Sequence, residues 1–477
     1  MLRTLLAAAS ALTLAACATG PDYKPPVESA AAAGGFVAAH SPALDANAPV
    51  AGKWWRLYDD PVLDGLIADA LSANTDVRIA VARLAKARAS LREIKTDRLP
   101  NVGVSAGATY GRLPATQRAP GAQREDWSID TGASLSYEVD LFGRVSRGVE
   151  AARGDVDAAS FDADAVRVSV AAETARAYAD AASAAERLDV ANRIVALLDR
   201  SLRVTGRRAE VGLTTRLDTA RIAALRNQRQ AEVPAIAAER DAALFRLATL
   251  TGRAPADLPP AAGMRTATLR LSTPIPVGDG AQLLARPPDV RAAERRLAAA
   301  TARIGVATAD LYPRIQLGAS IGSTGPNIAD LFGAAPLRWL LGPLISWSLT
   351  GHERARARVA GAEADTQAAL ATFDGTVLTS LRETETALST YAHALDRRTA
   401  LQAARDEAEV AARITRAQQR EGQIDSLALL DAERTAAETQ AALALIDAQI
   451  ADAQIDLFKA LGGGWEDAPK VQTAARN

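Results

Sequence analysis

The chain has 477 residues, which is enough for two or three domains, and its 55 Lys and Arg nearly balance its 56 Asp and Glu. Without an overall basic charge, the composition gives no reason to expect a nucleic-acid partner. The single cysteine excludes an intramolecular disulfide and a cysteine metal cluster, and the three histidines are scattered without ligand spacing. We therefore expect no nucleic acid and no metal site.

The first 16 residues predict a lipoprotein signal peptide, with Arg3 followed by an apolar stretch over residues 5–14. The next motif, Leu14-Ala15-Ala16-Cys17, looks like a bacterial lipobox, in which Cys17 becomes the lipidated first residue of the mature protein. Because Ala18 rather than Asp follows, the resemblance to Gram-negative lipoproteins favours the outer membrane. A plain signal sequence that leaves Cys17 as a free thiol is the alternative.

Residues 18–53 are rich in Ala, Gly and Pro, which predicts an extended tether. A short helix is expected from Val62 to about Ala73, and a second helix from Thr75 to about Arg98. The second helix should end before Pro100, because the residue that precedes a proline disfavours the helical conformation.

Two pairs of segments show the period-two alternation of β-strands. The first pair covers residues 101–111 and 127–141, and the second pair covers residues 315–322 and 339–349. Apolar side chains alternate with small or polar ones, and aromatic residues lie near the segment ends. This pattern is typical of transmembrane strands with lipid on one face and water on the other, although a soluble β-sandwich is the alternative.

The number of strands has a consequence for assembly. Four strands cannot close a barrel, and a bilayer tolerates no open sheet edge, so strands that span must come from several chains. Three copies would form a twelve-stranded barrel that is wide enough for water. After the N-terminus, no apolar run reaches the ~18 residues that a spanning helix needs.

Two long proline-free runs, from Gly121 to Val233 and from Leu344 to Glu466, predict long helices, because proline breaks helix interiors. Each run is interrupted once by a glycine beside turn-like polar residues, so we predict two helical hairpins with tips at Gly212 and Gly422. Apolar residues recur at spacings of three and four in both hairpins, which is typical of coiled coils. At ~1.5 Å per residue, the first descending helix, residues 144–210, would be about 100 Å long.

The chain repeats itself. Asp97-Arg98-Leu99-Pro100 is echoed 213 residues later by Asp310-Leu311-Tyr312-Pro313, and Asp76-Val77-Arg78 is echoed at the same offset by Asp289-Val290-Arg291. The tip glycines differ by 210. Two copies of a roughly 210-residue unit account for these matches. In a single multi-helix domain, which is the alternative, the matches would have arisen by chance.

The motifs together resemble a known family. They are the lipobox, Trp55 through Pro61, the helix from Asp76 to Pro100, Tyr137 through Arg144, Ala285 through Val290, Leu430 through Arg434, and Ala460 through Trp465. With them, nearly the whole mature chain resembles the outer-membrane factor family of TolC and OprM type, in the NodT-like lipoprotein branch that serves RND tripartite efflux systems.

The resemblance implies a mainly α fold with a β-barrel part. Each chain would supply a duplicated strand hairpin and long coiled-coil helical hairpin, and a homotrimer would form a twelve-stranded outer-membrane β-barrel and a periplasmic α-barrel. The N-terminal, linker and C-terminal segments would form an equatorial belt. The implied partners are outer-membrane lipid, a periplasmic adaptor (membrane fusion) protein and an inner-membrane RND-type transporter that expels drugs or other solutes.

The chain is divided accordingly. The predicted divisions are a lipoprotein signal peptide, 1–16; a lipid anchor, tether and equatorial segment, 17–74; a first repeat, 75–253, with a β-hairpin at about 101–142 and a helical hairpin at about 144–252; an equatorial linker, 254–288; a second repeat, 289–461, with a β-hairpin at about 313–350 and a helical hairpin at about 351–461; and a C-terminal equatorial tail, 462–477.

No catalytic constellation appears in the sequence. Paired carboxylates such as Glu383 and Glu385 fall on long polar helices, where they predict solvated faces. We expect a protein that is not an enzyme and that carries no cofactor beyond a covalent lipid on Cys17.

The candidate gate lies just after the second tip, where Leu427, Asp431 and Arg434 are spaced by four and three and so share one helix face. In the resembled family, the matching positions belong to the constriction that keeps the resting channel shut. The 210-residue offset matches Arg221 to Asp431, so an Arg221–Asp431 contact is a further hypothesis. An ordinary surface pair of Asp431 and Arg434, worth at most ~1 kcal/mol, is the alternative.

The tips themselves are the candidate adaptor-docking segments. The residues chosen are Gly212, Leu213, Gly422, Gln423 and Ile424. We therefore interpret the chain as the Gram-negative outer-membrane channel of a tripartite efflux pump, a passive duct that extends into the periplasm and is gated at its helix tips. The alternatives are a type I protein secretion conduit and a non-conducting periplasmic coiled-coil lipoprotein scaffold, against which the alternating strands argue.

Overall fold

The computed structural model describes residues 19–465 except for 28–33, 40, 47, 113, 115, 117–122, 281–282, 284–285, 333–336, 349–350 and 425. Cys17, the predicted lipidation site, lies outside the described residues. The chain divides into two compact units. The first unit holds residues up to 26, 83–159 and 292–374, and the second holds 27–82, 160–291 and 375 onward.

The fold is mainly helical with one large sheet, as predicted. In chain order the elements are β1 Leu44–Asp45, α1 Pro61–Ala73, α2 Thr75–Thr96, β2 Asn101–Arg112, β3 Glu125–Val139, α3 Arg144–Glu210, α4 Arg216–Leu250, β4 Ile275–Pro276, α5 Pro288–Ala309, β5 Arg314–Gly325, β6 Leu337–Ser346, α6 His352–Arg420 and α7 Ser426–Ala460. No helix in the described part of the chain is long and apolar enough to cross a membrane.

The first unit contains a four-stranded antiparallel sheet in the order β2-β3-β5-β6. Its register aligns apolar residues on one face, where Leu135 pairs with Val102 on one side and with Ala319 on the other. Ser134, on the opposite face, pairs with Gly103 and Ser320, and that face is mainly small and polar, with Leu340 and Leu344 of β6 as exceptions. The apolar face is largely exposed, and β2 and β6 form the two edges of the sheet, which pair with no further strand in the described part of the chain.

The residues that follow the predicted lipid anchor are extended but docked, in contrast to a free tether. The Thr19 hydroxyl donates to the Phe142 carbonyl at 2.8 Å, and Arg147 Nη2 donates to Asp22 Oδ1 at 2.6 Å. Gly305 has no side chain where this segment passes, and a Cβ there would lie 2.7 Å from the Thr19 carbonyl oxygen. The segment that follows Cys17 is therefore held within the first unit from Thr19 onward.

The second unit has a core that joins the N-terminal segment, the linker and the C-terminal end. Trp54 is fully buried and stacks on Phe458 of α7 with ring centroids 4.8 Å apart. Gly463 makes this approach possible, since a Cβ there would lie 3.0 Å from Trp54 Cδ1. The two-residue strands β1 and β4 pair in parallel in the same unit, a contact that the sequence did not predict.

The predicted hairpin turns are confirmed at both tips. Gly212 has a φ of 75° and Gly422 a φ of 73°, the left-handed region that favours glycine. The amide of Leu213 donates to the Arg208 carbonyl at 2.8 Å, and the amide of Gln423 donates to the Gln418 carbonyl at 2.9 Å. Both helices thus end in the same Schellman turn, 210 residues apart.

Proline does not end the returning helix of the first hairpin. Pro234, the residue that closes the proline-free run, lies inside α4. It is exposed, so the carbonyl that loses its amide partner can bind water instead. A proline-free run therefore underestimates the length of a helix that has a solvent-facing side.

Candidate gate at the helical tips

The three predicted gate residues lie together on one face of α7 that the chain itself leaves open. Leu427, Asp431 and Arg434 are all exposed. On the other side of the same helix, Leu429 and Glu433 are buried. The predicted face is therefore free to meet another surface.

Asp431 and Arg434 form an ion pair within one helix. Arg434 Nη2 donates to Asp431 Oδ1 at 2.8 Å, and the two side chains keep 55% and 67% of their exposure. Such an exposed pair is worth about 0–1 kcal/mol. Among the residues that the structure describes, no ion pair joins Arg221 to Asp431, so the Arg221–Asp431 contact stays a prediction.

A buried ion pair next to the gate face was missed by the sequence analysis. The Glu433 carboxylate accepts from Arg416 Nε at 2.5 Å and from Arg416 Nη2 at 3.0 Å, and its side chain is only 5% exposed. The hydrogen bonds to Glu433 raise the pKa of Arg416. This pair fastens α6 to α7 directly behind the exposed gate face.

The two hairpins of one chain are joined near their tips by Arg208. Its Nη2 donates to the carbonyls of Gln419 at 2.9 Å and Arg420 at 3.3 Å, at the end of α6. A cation suits this position because the last carbonyls of a helix lack intrahelical partners and carry partial negative charge. The contact uses backbone acceptors, so no sequence motif could have indicated it.

The candidate docking residues are mostly exposed. Leu213 retains 75% of its exposure, Gly212, Gly422 and Gln423 are exposed, and Ile424 is half-buried. An exposed leucine at a helix turn offers an apolar contact to a partner. The first tip thus presents an apolar side chain, whereas the second presents mainly polar ones.

An acidic cluster lies farther along the same helices. Burial raises the pKa of Asp452 on α7 to about 7, and the nearby Asp180 carboxylate adds to the rise. Arg176 lies 4.0 Å from Asp452 Oδ1 and opposes it. Asp452 therefore changes charge near neutral pH, although no group of acidic, histidine or cysteine residues in the described chain could hold a metal ion.

The two-faced sheet with open edges and the paired helical hairpins define the subunit of an outer-membrane channel. Residues 66–253 and 280–463 match the family described as outer membrane efflux protein. The chain belongs to this outer membrane efflux protein family. The match falls in two segments, in line with the internal repeat.

Individual relatives agree with this assignment. The chain is 31% identical to outer membrane protein OprJ of Pseudomonas aeruginosa over 462 residues, which cover 96% of this chain and 95% of OprJ. It is 29% identical over 484 residues to the toluene efflux pump outer membrane protein TtgF of Pseudomonas putida, with 99% of each chain covered. The solved structure of the outer-membrane channel OprN aligns with a TM-score of 0.88 and 35% identity, covering 94% of this chain and 100% of OprN. The predicted family and the predicted outer-membrane location are confirmed.

Proposed function

We propose that three copies of this chain form the outer-membrane duct of a tripartite efflux pump, which is closed at rest by the exposed face of α7. The observation that carries the duct is the sheet of the first unit, with one apolar face, one polar face and two unpaired edges. In a bilayer the edges must pair with neighbouring copies, because unpaired backbone groups cost several kcal/mol each in hydrocarbon. A passive duct needs no catalytic residues, so we expect no enzymatic activity.

The gate is supported by the arrangement around α7. Leu427, Asp431 and Arg434 point away from their own chain, while the Arg416–Glu433 pair holds the helix from behind. In a ring of identical chains, these exposed faces would meet around the axis. Leucine rings would exclude water and the charged pairs would bridge neighbouring helices, which closes the duct without further parts.

The anchor and the partners complete the proposal. Cys17 carries a covalent lipid that holds the N-terminus at the membrane, and the contacts of Thr19 and Asp22 with the first unit support an anchor at this end of the chain. The tips at Gly212 and Gly422 receive a periplasmic adaptor, which connects the duct to an inner-membrane RND-type transporter. Support for the tips is their exposure and the repeated turn geometry.

Single-channel conductance in a planar bilayer tests the proposal. Purified wild type should give small, rarely open currents, and Asp431→Ala should enlarge them or raise the open fraction. Asp189→Ala is the matched control, since Asp189 also pairs with an arginine on an exposed helix face, 3.0 Å from Arg193. Equal currents for Asp431→Ala and the control would show that the gate lies elsewhere. No conductance from well-folded oligomers would refute the proposal that the oligomer is a duct.

A further inference from the structure

A basic cavity lies in the first unit where the second strand pair meets its helices. It has a volume of about 460 Å³ and lies between the end of α5, the first residue of β5, the end of β6 and the first two turns of α6. Three arginines line it, Arg314, Arg354 and Arg358, against one acidic residue, Asp310. The proposed duct and its gate do not use this cavity.

The positive charge of the cavity is only partly neutralised. Asp310 accepts from Arg314 Nη2 at 2.5 Å and from Arg358 Nη1 at 3.2 Å, one donor from each guanidinium. Arg354 is exposed and has no partner in the part of the chain that the structure describes. Each guanidinium has five N–H donors, so most donors remain available and the cavity keeps an excess of two positive charges.

The internal repeat supplies a comparison that argues for a specific role. Arg314 is the first residue of its strand, and the first residue of the matching strand is Asn101. Arg354 and Arg358 are the third and seventh residues of α6, and the same positions of α3 are Ser146 and Glu150. The first repeat also has arginines in this turn, Arg144 and Arg147, but each pairs with a carboxylate, Arg144 with Glu138 at 2.7 Å and Arg147 with Asp22 at 2.6 Å. A cluster of arginines that exceeds its acidic partners is therefore a feature of the second repeat, beyond what the shared fold requires.

The surroundings of the cavity are those of a membrane surface. Trp347 lines the cavity with 54% of its surface exposed, and its Nε1 donates to the Leu311 carbonyl at 3.3 Å. Along β6, the residues before it on the apolar face, Ile345 and Trp339, are exposed as well. Tryptophan concentrates where the hydrocarbon core of a bilayer meets the headgroups, so the cavity lies at headgroup depth on the side from which α6 departs.

We propose that this cavity binds the phosphate group of an anionic phospholipid at the periplasmic surface of the outer membrane. Arginine forks match phosphate oxygens, and basic pockets at membrane depth recognise anionic headgroups. The acyl chains would lie against the apolar face of β6, beside Trp347. The inference rests on the proposed membrane placement of the sheet, and not on the gate.

Native mass spectrometry of the full, delipidated oligomer tests the proposal, with phosphatidylglycerol as the probe and phosphatidylcholine as the zwitterionic comparison. Wild type should bind phosphatidylglycerol about tenfold more tightly than phosphatidylcholine, and Arg354→Gln with Arg358→Gln should remove this preference. Arg356→Gln is the matched control, because Arg356 lies in the same turn but pairs with Glu353 at 3.0 Å and does not line the cavity.

Four outcomes decide the matter. An unchanged preference in the double variant, or an equal loss in Arg356→Gln, overturns the site. If an equimolar amount of inorganic phosphate displaces phosphatidylglycerol, the cavity is a site for free phosphate, and the proposal of a lipid ligand is wrong. Arg354→Gln alone, which breaks no contact in the described chain, should weaken lipid binding while oligomer elution stays unchanged. Conductance recorded on the same samples keeps a failure of the duct distinct from a failure of lipid binding.

Discussion

Breaking the buried Arg416–Glu433 pair should loosen the second tip far more than breaking the exposed Asp431–Arg434 pair beside it. Arg416→Met leaves the Glu433 carboxylate without its two hydrogen bonds of 2.5 and 3.0 Å in a site where it is 5% exposed. Removing one partner of a fully buried pair costs about 3–5 kcal/mol. Because the Arg416 side chain is itself 31% exposed and water can enter its place, we expect about 2–3 kcal/mol here.

Hydrogen–deuterium exchange of the tip peptides in the intact oligomer measures this loss. An opening free energy lower by about 2–3 kcal/mol speeds exchange roughly 30- to 150-fold. Arg434→Met, which removes an exposed pair worth about 0–1 kcal/mol, is the control and should change exchange by less than about fivefold. Replacing both Arg416 and Glu433 by Met should recover most of the protection, since an apolar pair avoids the buried charge. Equal exchange in Arg416→Met and Arg434→Met would refute the reasoning.

Three further predictions concern the turns, the acidic cluster and the contact between hairpins. Gly422→Ala should cost about 1 kcal/mol in thermal unfolding because its φ of 73° suits glycine alone, whereas Gly206→Ala, in a helix interior with no atom near the new Cβ, should be neutral or stabilising. Burial raises the pKa of Asp452 to about 7. The folded state therefore keeps a proton that the unfolded chain loses near pH ~4, so stability should fall as the pH rises from about 4 to about 7. In melting curves over this range Asp452→Asn should flatten that fall, and an unchanged slope would contradict the assignment. Arg208→Gln should raise the open fraction in conductance recordings, because it frees the end of α6. Arg207→Gln, at the exposed neighbouring residue, is the control and should not change the open fraction. Equal effects of the two substitutions would show that the Arg208 contact does not hold the channel closed.

Much of the fold could be predicted because its patterns are long. Period-two alternation over about ten residues identified the strands, and glycine beside polar residues identified both tips, where a positive φ leaves few other choices. The pairing of Leu44–Asp45 with Ile275–Pro276 was not predicted, because a two-residue strand is too short to show a period-two pattern. The predicted first helical hairpin, about 144–252, already ran past Pro234, and α4 does continue through this proline, which is tolerated because that side of the helix meets water.

For the candidate gate, the sequence could predict only that its three residues share one face of a helix. Spacings of four and three put Leu427, Asp431 and Arg434 together, and all three share the uncovered side of α7. The sequence could not distinguish Asp431 from Glu433, two residues away, because burial depends on the neighbouring helix that supplies Arg416. In the proposed ring, the open face meets other copies of the chain, and no local pattern identifies such a partner.

The open edges of the sheet also have a genetic consequence. Because β2 and β6 differ, each copy contributes one edge to each of two neighbours, so a single copy with a blocked edge prevents the whole ring from closing. If half of the chains in a cell carried such a block and rings of three assembled at random, only about one ring in eight would be free of it. An allele of this kind would behave as dominant over the normal gene, whereas an allele that makes no protein would be recessive.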